Sequence, residues 1–124
     1  MKLEYLPDGS PDCPLIRLYE CDQSEVRQLR HLVESLVSGD LQVVELQNEA
    51  WIEPVGGCCL NLRRGNRNQG IRQAQSLDFE CVLSPDGWSN VEGLLEPFCE
   101  ETSGFQWLTH DGRIALLISR SGEW

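Results

Sequence analysis

The sequence predicts an α+β domain in which two helices lie on one face of a roughly six-stranded, mostly antiparallel sheet. Two segments carry apolar residues at helical spacing, six others carry them at alternate positions, and glycines and polar turns separate these segments. The chain has 124 residues, 40% of them hydrophobic and 24% charged, which is enough for one core but too few residues for two. We therefore expect residues 1–124 to form a single domain.

The first helix is predicted from the apolar residues that recur at three- and four-residue steps between Val26 and Val37. Asp22, with Glu25 three positions later, has the pattern of a capping box. Gly39 stands where a helix commonly ends in a left-handed residue.

The second helix has two candidate starts. Ser89 with Glu92 forms a capping-box pattern, whereas Ser84 followed by Pro85 would begin the helix one turn earlier. Pro97 should kink or split this helix, since a proline in an unbroken helix costs about 3 kcal/mol.

Strands are predicted on both sides of the helices. In FQWLTHDGRIALLIS, Asp111 and Gly112 should supply the positive φ angles of a tight hairpin turn. The segment RRGNRNQGIR is expected to be a polar loop, and residues 51–55 to be a short additional strand. The six predicted strands are 15–20, 41–46, 58–64, 77–83, 105–109 and 113–119.

A weak internal repeat follows from this layout. Residues 15–64 and 77–120 both have the order β-α-β-β, and Val26 of the first half aligns with Val91 of the second. Such a unit cannot bury its helix alone, so two copies would share one sheet with both helices on the same side. The pattern is compatible with a true duplication and with chance similarity between two α+β segments.

The charge balance limits the classes of partner. The formal net charge is −10, and binding to a nucleic acid backbone requires cationic contacts, so nucleic acid is not an expected partner. A basic protein partner is compatible with this charge. Glu96, Glu100 and Glu101 form one side of the second helix, which would be either a solvated surface or a docking surface for that partner.

The six cysteines are expected to be reduced and buried. A domain of this size does not need disulfides, and no secretory signal precedes the first strand, which favours a cytoplasmic protein. The longest apolar run is 114–118, whereas a membrane span needs about 20 residues. Neither the cysteines nor the histidines have the paired spacing of a zinc site, and no glycine-rich cofactor motif is present.

Adjacent thiols in GGCCLNLRR raise the question of redox or nucleophilic chemistry. In a strand, Cys58 and Cys59 point to opposite faces, so both cannot grip one ion without distortion of the backbone. Cys58 is predicted to be core. Cys59 shares its face with Arg63, which would lower the pKa of the thiol, and His110 is the candidate base for it.

Four arginines close together in the sequence are a candidate binding site. Arg63, Arg64, Arg67 and Arg72 would hold a phosphate or carboxylate, or would instead keep sheet edges from associating.

Tryptophans are numerous for this length. Trp107 is predicted to be core, whereas Trp51, Trp88 and Trp124 lie in predicted loops or at the end of the sequence. There they would contact a partner or cover the edge of the core.

The sequence therefore favours a non-catalytic protein-binding or regulatory module over an enzyme. In this hypothesis a basic partner binds the acidic face or the open face of the sheet. The alternative is a small cytosolic thiol-dependent enzyme or redox protein that uses Cys59. The pattern indicates neither a substrate nor an oligomeric state.

Overall fold

The computed structural model describes residues 1–8, 14–100 and 103–124, and these form two helices and nine strands. The α+β class is confirmed. The strands lie in two mixed sheets, however, and not in the one sheet that the sequence suggested. The elements in chain order are β1 (Lys2–Leu6), β2 (Leu15–Tyr19), α1 (Gln23–Ser38), β3 (Val43–Glu45), β4 (Glu53–Pro54), β5 (Cys59–Arg64), β6 (Gly70–Gln75), β7 (Asp78–Leu83), α2 (Pro85–Phe98), β8 (Phe105–Thr109) and β9 (Ala115–Ser119).

The two sheets are built in the same way from opposite halves of the chain. Sheet A has the order β4-β1-β2-β9-β8, and sheet B has the order β3-β5-β7-β6. In each, an antiparallel strand pair from one half lies beside a hairpin from the other half, with a parallel contact where they meet. Apart from the short β4, which lies in sheet A, each half therefore runs β-β-α-β-β and places its last two strands in the sheet begun by the other half.

The structure confirms all six predicted strands to within two residues at each end, and it adds two that were not predicted. β1 was overlooked, and β6 lies in part of the segment that was expected to be a loop. The short strand predicted at 51–55 is present only as Glu53–Pro54.

Helix α1 begins and ends as predicted. The Asp22 side chain accepts a hydrogen bond from the Glu25 amide, and the Glu25 carboxylate accepts one from the Asp22 amide, which completes the capping box. Gly39 ends the helix with a φ of +90°.

Helix α2 uses the earlier of its two candidate starts. Ser84 is the N-cap, its hydroxyl accepts from the Gly87 amide, and Pro85 occupies the first turn, where its missing amide costs nothing. Pro97 lies one residue before the end of the helix, so the expected split does not occur.

The turn between β8 and β9 differs from the prediction in one residue. Gly112 has a φ of +82°, but Asp111 is not among the positive-φ residues. A β-bulge between Trp107 and Thr109 adjusts the register of this hairpin instead.

One hydrophobic core joins both helices and both sheets. The buried residues of α1 are Val26, Leu29, Val33 and Leu36, and those of α2 are Trp88, Val91, Leu95 and Phe98. Both sets follow the same three-four-three spacing. When the two helices are aligned by their buried residues, Val26 corresponds to Trp88. This differs by about one helical turn from the predicted correspondence of Val26 with Val91.

Candidate functional site

The outer face of sheet A carries an unusual concentration of aromatic side chains. Leu18, Leu108 and Ile118 of this sheet belong to the core, so the residues next to them in each strand point the other way. Phe105 is 45% exposed, and Trp107 is half-buried. We call Tyr19, Phe105, Trp107 and Trp124 the aromatic face.

Arg17 lies at the centre of the aromatic face. Its guanidinium carbon is 3.8 Å from the centroid of the Tyr19 ring and 5.8 Å from that of Trp124. The same guanidinium donates to the Glu4 carboxylate at 2.6 Å and to the Gly122 carbonyl at 2.7 Å. These contacts hold the segment that ends in Trp124 against the sheet, where the indole is 42% exposed.

Cross-strand pairing makes the aromatic face continuous. Trp107 is opposite Leu117, which in turn is opposite Arg17 on the next strand. Phe105 is opposite Ser119, whose hydroxyl donates to the Glu123 carbonyl at 2.7 Å. The prediction that Trp107 is core is therefore wrong, because Leu108 and not Trp107 faces inward.

The outer face of sheet B has the opposite character. Arg63 donates to Glu80 at 3.0 Å, and Arg72 lies 3.8 Å from the same carboxylate. Asn61 accepts a hydrogen bond from Gln47 on this side of the sheet. Two sheets with the same strand arrangement thus present one aromatic and one charged outer face.

Cys58 lies in the core, as predicted, and has no exposed surface. Burial raises the pKa of the Cys58 and Cys81 thiols to about 12, and it also raises the pKa of Cys21 and Cys99. These thiols are free. Cys13 lies outside the described residues.

The structure does not bring together the proposed pair of Cys59 and His110. Cys59 is half-buried at the start of β5 in sheet B, and its thiol donates to the Gly57 carbonyl at 3.5 Å. His110 lies in the turn of sheet A and stacks on Trp107 with ring centroids 5.0 Å apart. Nucleophilic catalysis by this pair thus has no geometric support.

The four candidate arginines do not form one cluster. Arg63 and Arg72 converge on Glu80, whereas the guanidinium of Arg64 lies against Gly39 at the end of α1. Arg67 is exposed in the turn before β6. The structure therefore separates the four arginines instead of placing them in one anion site, and Arg72 lines a groove next to β6.

Of the three candidate tryptophans, Trp124 belongs to the aromatic face, and the other two lie in different environments. Trp88 is fully buried in α2, and its indole nitrogen donates to the Arg63 carbonyl at 2.9 Å. The partner-contact alternative for Trp88 is therefore corrected. Trp51 is half-buried and, with His31, lines a cleft of about 360 Å³ beside α1.

The carboxylates predicted along one side of the second helix are partly neutralised by α1, and Glu100 lies beyond α2, which ends at Phe98. Glu100 lies 3.3 Å from Arg27, and Glu96 lies 3.9 Å from Arg30. Glu101 lies outside the described residues. The side of α2 that was a candidate docking surface for a basic partner is thus in part a contact between the helices.

Arg113 was not among the candidate residues predicted from the sequence. Arg113 is exposed beside the turn of β8 and β9, and with Arg72 it lines a groove of about 810 Å³ next to β6. Arg113 is isolated in sequence from the other arginines, so only the fold brings it close to Arg72.

Comparison with models of known protein families, with curated proteins and with solved structures gave no match. Within residues 1–8, 14–100 and 103–124, no three His, Cys, Asp or Glu side chains converge as metal ligands. Neither described helix combines the length and the apolar character needed to cross a membrane.

Proposed function

We propose that this protein is a non-catalytic binding module whose aromatic face docks a basic protein partner. The observation that carries the proposal is the pair of exposed rings, Phe105 and Trp124, beside the half-buried Trp107 on the outer face of a sheet. Rings of this kind act as anchors in protein interfaces, because they bury a large area at a small cost in conformational entropy.

The contrast between the sheets supports the choice of face. A sheet face that only meets water is usually polar, as on sheet B, where Arg63, Glu80 and Arg72 interact. Two exposed aromatic residues on the equivalent face of sheet A lower solubility unless they serve an interaction.

Charge supports the choice of a basic partner. The cations on this side of sheet A are already paired, Arg17 with Glu4 and Lys2 with Glu20. Glu123 next to the aromatic face is exposed and has no ion pair within the described part of the chain. With a net charge of −10, the protein attracts a basic surface and repels an acidic one.

The test is affinity capture from the native host with the wild-type protein and with the Phe105→Asp variant. Leu77→Asp is the matched control, because Leu77 is also an exposed apolar residue, at 36%, but lies in the turn between β6 and β7. We expect one or more basic proteins to be captured by the wild type and by Leu77→Asp and to be lost with Phe105→Asp.

A captured partner is then checked in purified form. Binding should shift the NMR signals of Trp107 and Trp124 and weaken as the salt concentration rises, because the charges are opposite. Retention of every partner by Phe105→Asp would overturn the proposal, and so would a purified partner that binds elsewhere. Self-association through this face, seen by light scattering, would replace the basic partner with a second copy of the chain.

A further inference from the structure

A groove beside the outer strand of sheet B has features that the aromatic face does not explain. It has a volume of about 810 Å³ and lies between β6 and residues 112–114, the segment that precedes β9 of sheet A. Ile71, Ile114 and Tyr5 provide apolar surface in it, while Arg72 and Arg113 provide the positive charge. We call it the β6 groove.

The charge of the β6 groove is opposite to that of the protein as a whole. Among its described lining residues there is no Asp or Glu, although the net charge of the chain is −10. Arg113 has no ion pair in the described part of the chain. Arg72 lies 3.8 Å from Glu80, but that carboxylate is already bonded to Arg63 at 3.0 Å.

The backbone along the groove belongs to a sheet edge. β6 is the last strand of sheet B, and along its outer side a single isolated bridge, Ile71 to Ile114, lies within the described residues. Ile71 pairs with Ile114 across that bridge, so its backbone groups point toward the outer edge of the sheet. Backbone groups alternate in direction along a strand, so those of Gln73 point toward the same edge.

The first half of the chain shows how such an edge is covered. β1 lies beside β2 in sheet A as β6 lies beside β7 in sheet B, so the two strands have corresponding places in their sheets. Leu3 is paired with Pro54, and the chain continues along β1 through Val55–Gly57. Among the described residues, no such segment continues along β6 beyond Ile114, and the groove lies there.

The segment that covers β1 also shows a matching charge. Glu53 is opposite Lys2 of β1 in the parallel register, and the pKa of Lys2 is raised first by its hydrogen bond to Glu20 and to a smaller extent by the attraction of Glu53. A carboxylate beside a basic side chain at a covered strand edge is thus present once in this fold.

We propose that the β6 groove binds an extended acidic peptide segment of another protein, which adds to β6 as a strand. Its backbone would pair with the outward groups of Gln73, next to the bridge between Ile71 and Ile114, and its carboxylates would accept hydrogen bonds from Arg72 and Arg113. Guanidinium groups bind carboxylates in a forked geometry, and strand addition to a free sheet edge is a common mode of peptide recognition. The site is independent of the aromatic face.

Arginines at a sheet edge also prevent association of edges, and Arg72 alone would fit that role. A protective edge needs no groove and no apolar floor. It should repel cationic peptides and bind no peptide at all, so a binding experiment separates the two roles.

The experiment titrates the full chain with a capped peptide of about eight residues in which valine and glutamate alternate, a length that spans one strand. Three comparison ligands are an alternating valine and lysine peptide, the acidic peptide with N-methylated alternate amides, and free glutarate. The readout is the NMR signals of the Gln73 and Ile114 amides and of the Arg72 and Arg113 side chains.

We expect saturable binding of the acidic peptide alone, with shifts at these groove residues. The double variant Arg72→Gln and Arg113→Gln should bind at least about tenfold more weakly, since two charge-assisted contacts are lost. Arg67→Gln, which removes an exposed arginine outside the groove lining, should bind like the wild type.

Four results would overturn the proposal. They are no saturable binding of the acidic peptide, equal binding of the lysine or N-methylated peptide, undiminished binding by the double variant, and shifts confined to the aromatic face. Equal affinity for free glutarate would show a small-molecule carboxylate site in place of a peptide site.

Discussion

At the scale of single residues, the cysteines show how burial decides chemistry. Cys58 and Cys81 have no exposed surface, and burial raises the pKa of each thiol to about 12. At neutral pH almost none of either side chain is a thiolate, which is the reactive form. Cys59 is the half-exposed member of the adjacent pair, so it alone of Cys58 and Cys59 meets solvent.

We expect Cys58 and Cys81 to resist alkylation in the folded protein at neutral pH and to react fully after denaturation. Peptide mass spectrometry after timed exposure to iodoacetamide measures this for each residue. Rapid alkylation of Cys58 or Cys81 under native conditions would contradict their placement in the core. Alkylation of Cys59 faster than a free thiol would favour the thiol-enzyme alternative over a binding module.

The same thiols predict the pH dependence of stability. Their folded pKa is raised, so the neutral form that the core requires is fully favoured below the unfolded pKa of about 8.5. As the pH rises from there toward about 12, unfolding releases protons and the free energy of unfolding falls. The slope measured by urea denaturation should be smaller in Cys81→Val, and an unchanged slope would assign it to other groups.

At the scale of elements, the contact between the helices centres on Arg30. Its guanidinium lies 2.7 Å from Glu92 and 3.9 Å from Glu96 of α2, and 3.4 Å from Glu34 on its own helix. The hydrogen bond to Glu92 raises the pKa of Arg30, so this side chain stays charged. Arg30 thus offsets repulsion among three carboxylates in an acidic protein.

We expect Arg30→Gln to lower the free energy of unfolding by more than Arg27→Gln does, because the charged hydrogen bond to Glu92 is lost and the carboxylates around Arg30 then repel one another. Arg27→Gln changes the net charge equally but removes the exposed pair with Glu100, so it should cost at most about 0.5 kcal/mol. Urea denaturation measures both. The difference should shrink with added salt, and equal costs for the two variants would refute the special role of Arg30.

Helix α1 and most strands could be predicted because their signals are local. A capping box, a C-terminal glycine and apolar periodicity all lie within α1 itself. β6 gave no such signal, since its last four residues are exposed and polar or small, and it is a strand because β7 pairs with it. Pairing with β7 therefore makes this segment a strand, although its composition does not favour one.

At the scale of the whole molecule, the fold class could be predicted from local patterns, but the division into two sheets could not. Apolar alternation shows that a strand has a buried face, but it does not show which strand lies beside it. The candidate surfaces depend on that missing information. Trp107 and Arg17 share one face, on either side of Leu117, because β9 lies between β8 and β2, and Arg72 and Arg113 line one groove because β6 lies beside the segment that leads into β9.

We propose that the two β-β-α-β-β halves arose by duplication of one unit. The equal spacing of buried residues in α1 and α2, the equivalent N-caps Asp22 and Ser84, and the matching strand orders support this. After duplication, the outer faces would have diverged, one becoming aromatic and the other charged. That divergence is what a gain of a binding surface in one copy would produce.

The exchange of strands between halves predicts that the chain unfolds as one cooperative unit. Each half places an antiparallel strand pair, β3 with β5 or β8 with β9, in the other half's sheet, and one core contains both helices. Neither half can therefore bury its own helix while the other is unfolded. Val33 in α1 and Val91 in α2 are matched probes, since both are buried valines that face this core.

We expect Val33→Ala and Val91→Ala each to cost about 2 kcal/mol, because each removes buried methyl groups and leaves a small cavity. Native-state hydrogen exchange then measures how the cost is distributed. If folding is cooperative, either variant lowers the protection of the slowest amides in β2 and in β7 by the same amount, although these strands belong to different halves and different sheets. A loss confined to the half that carries the substitution would mean that the halves open independently, and the single domain would then be two.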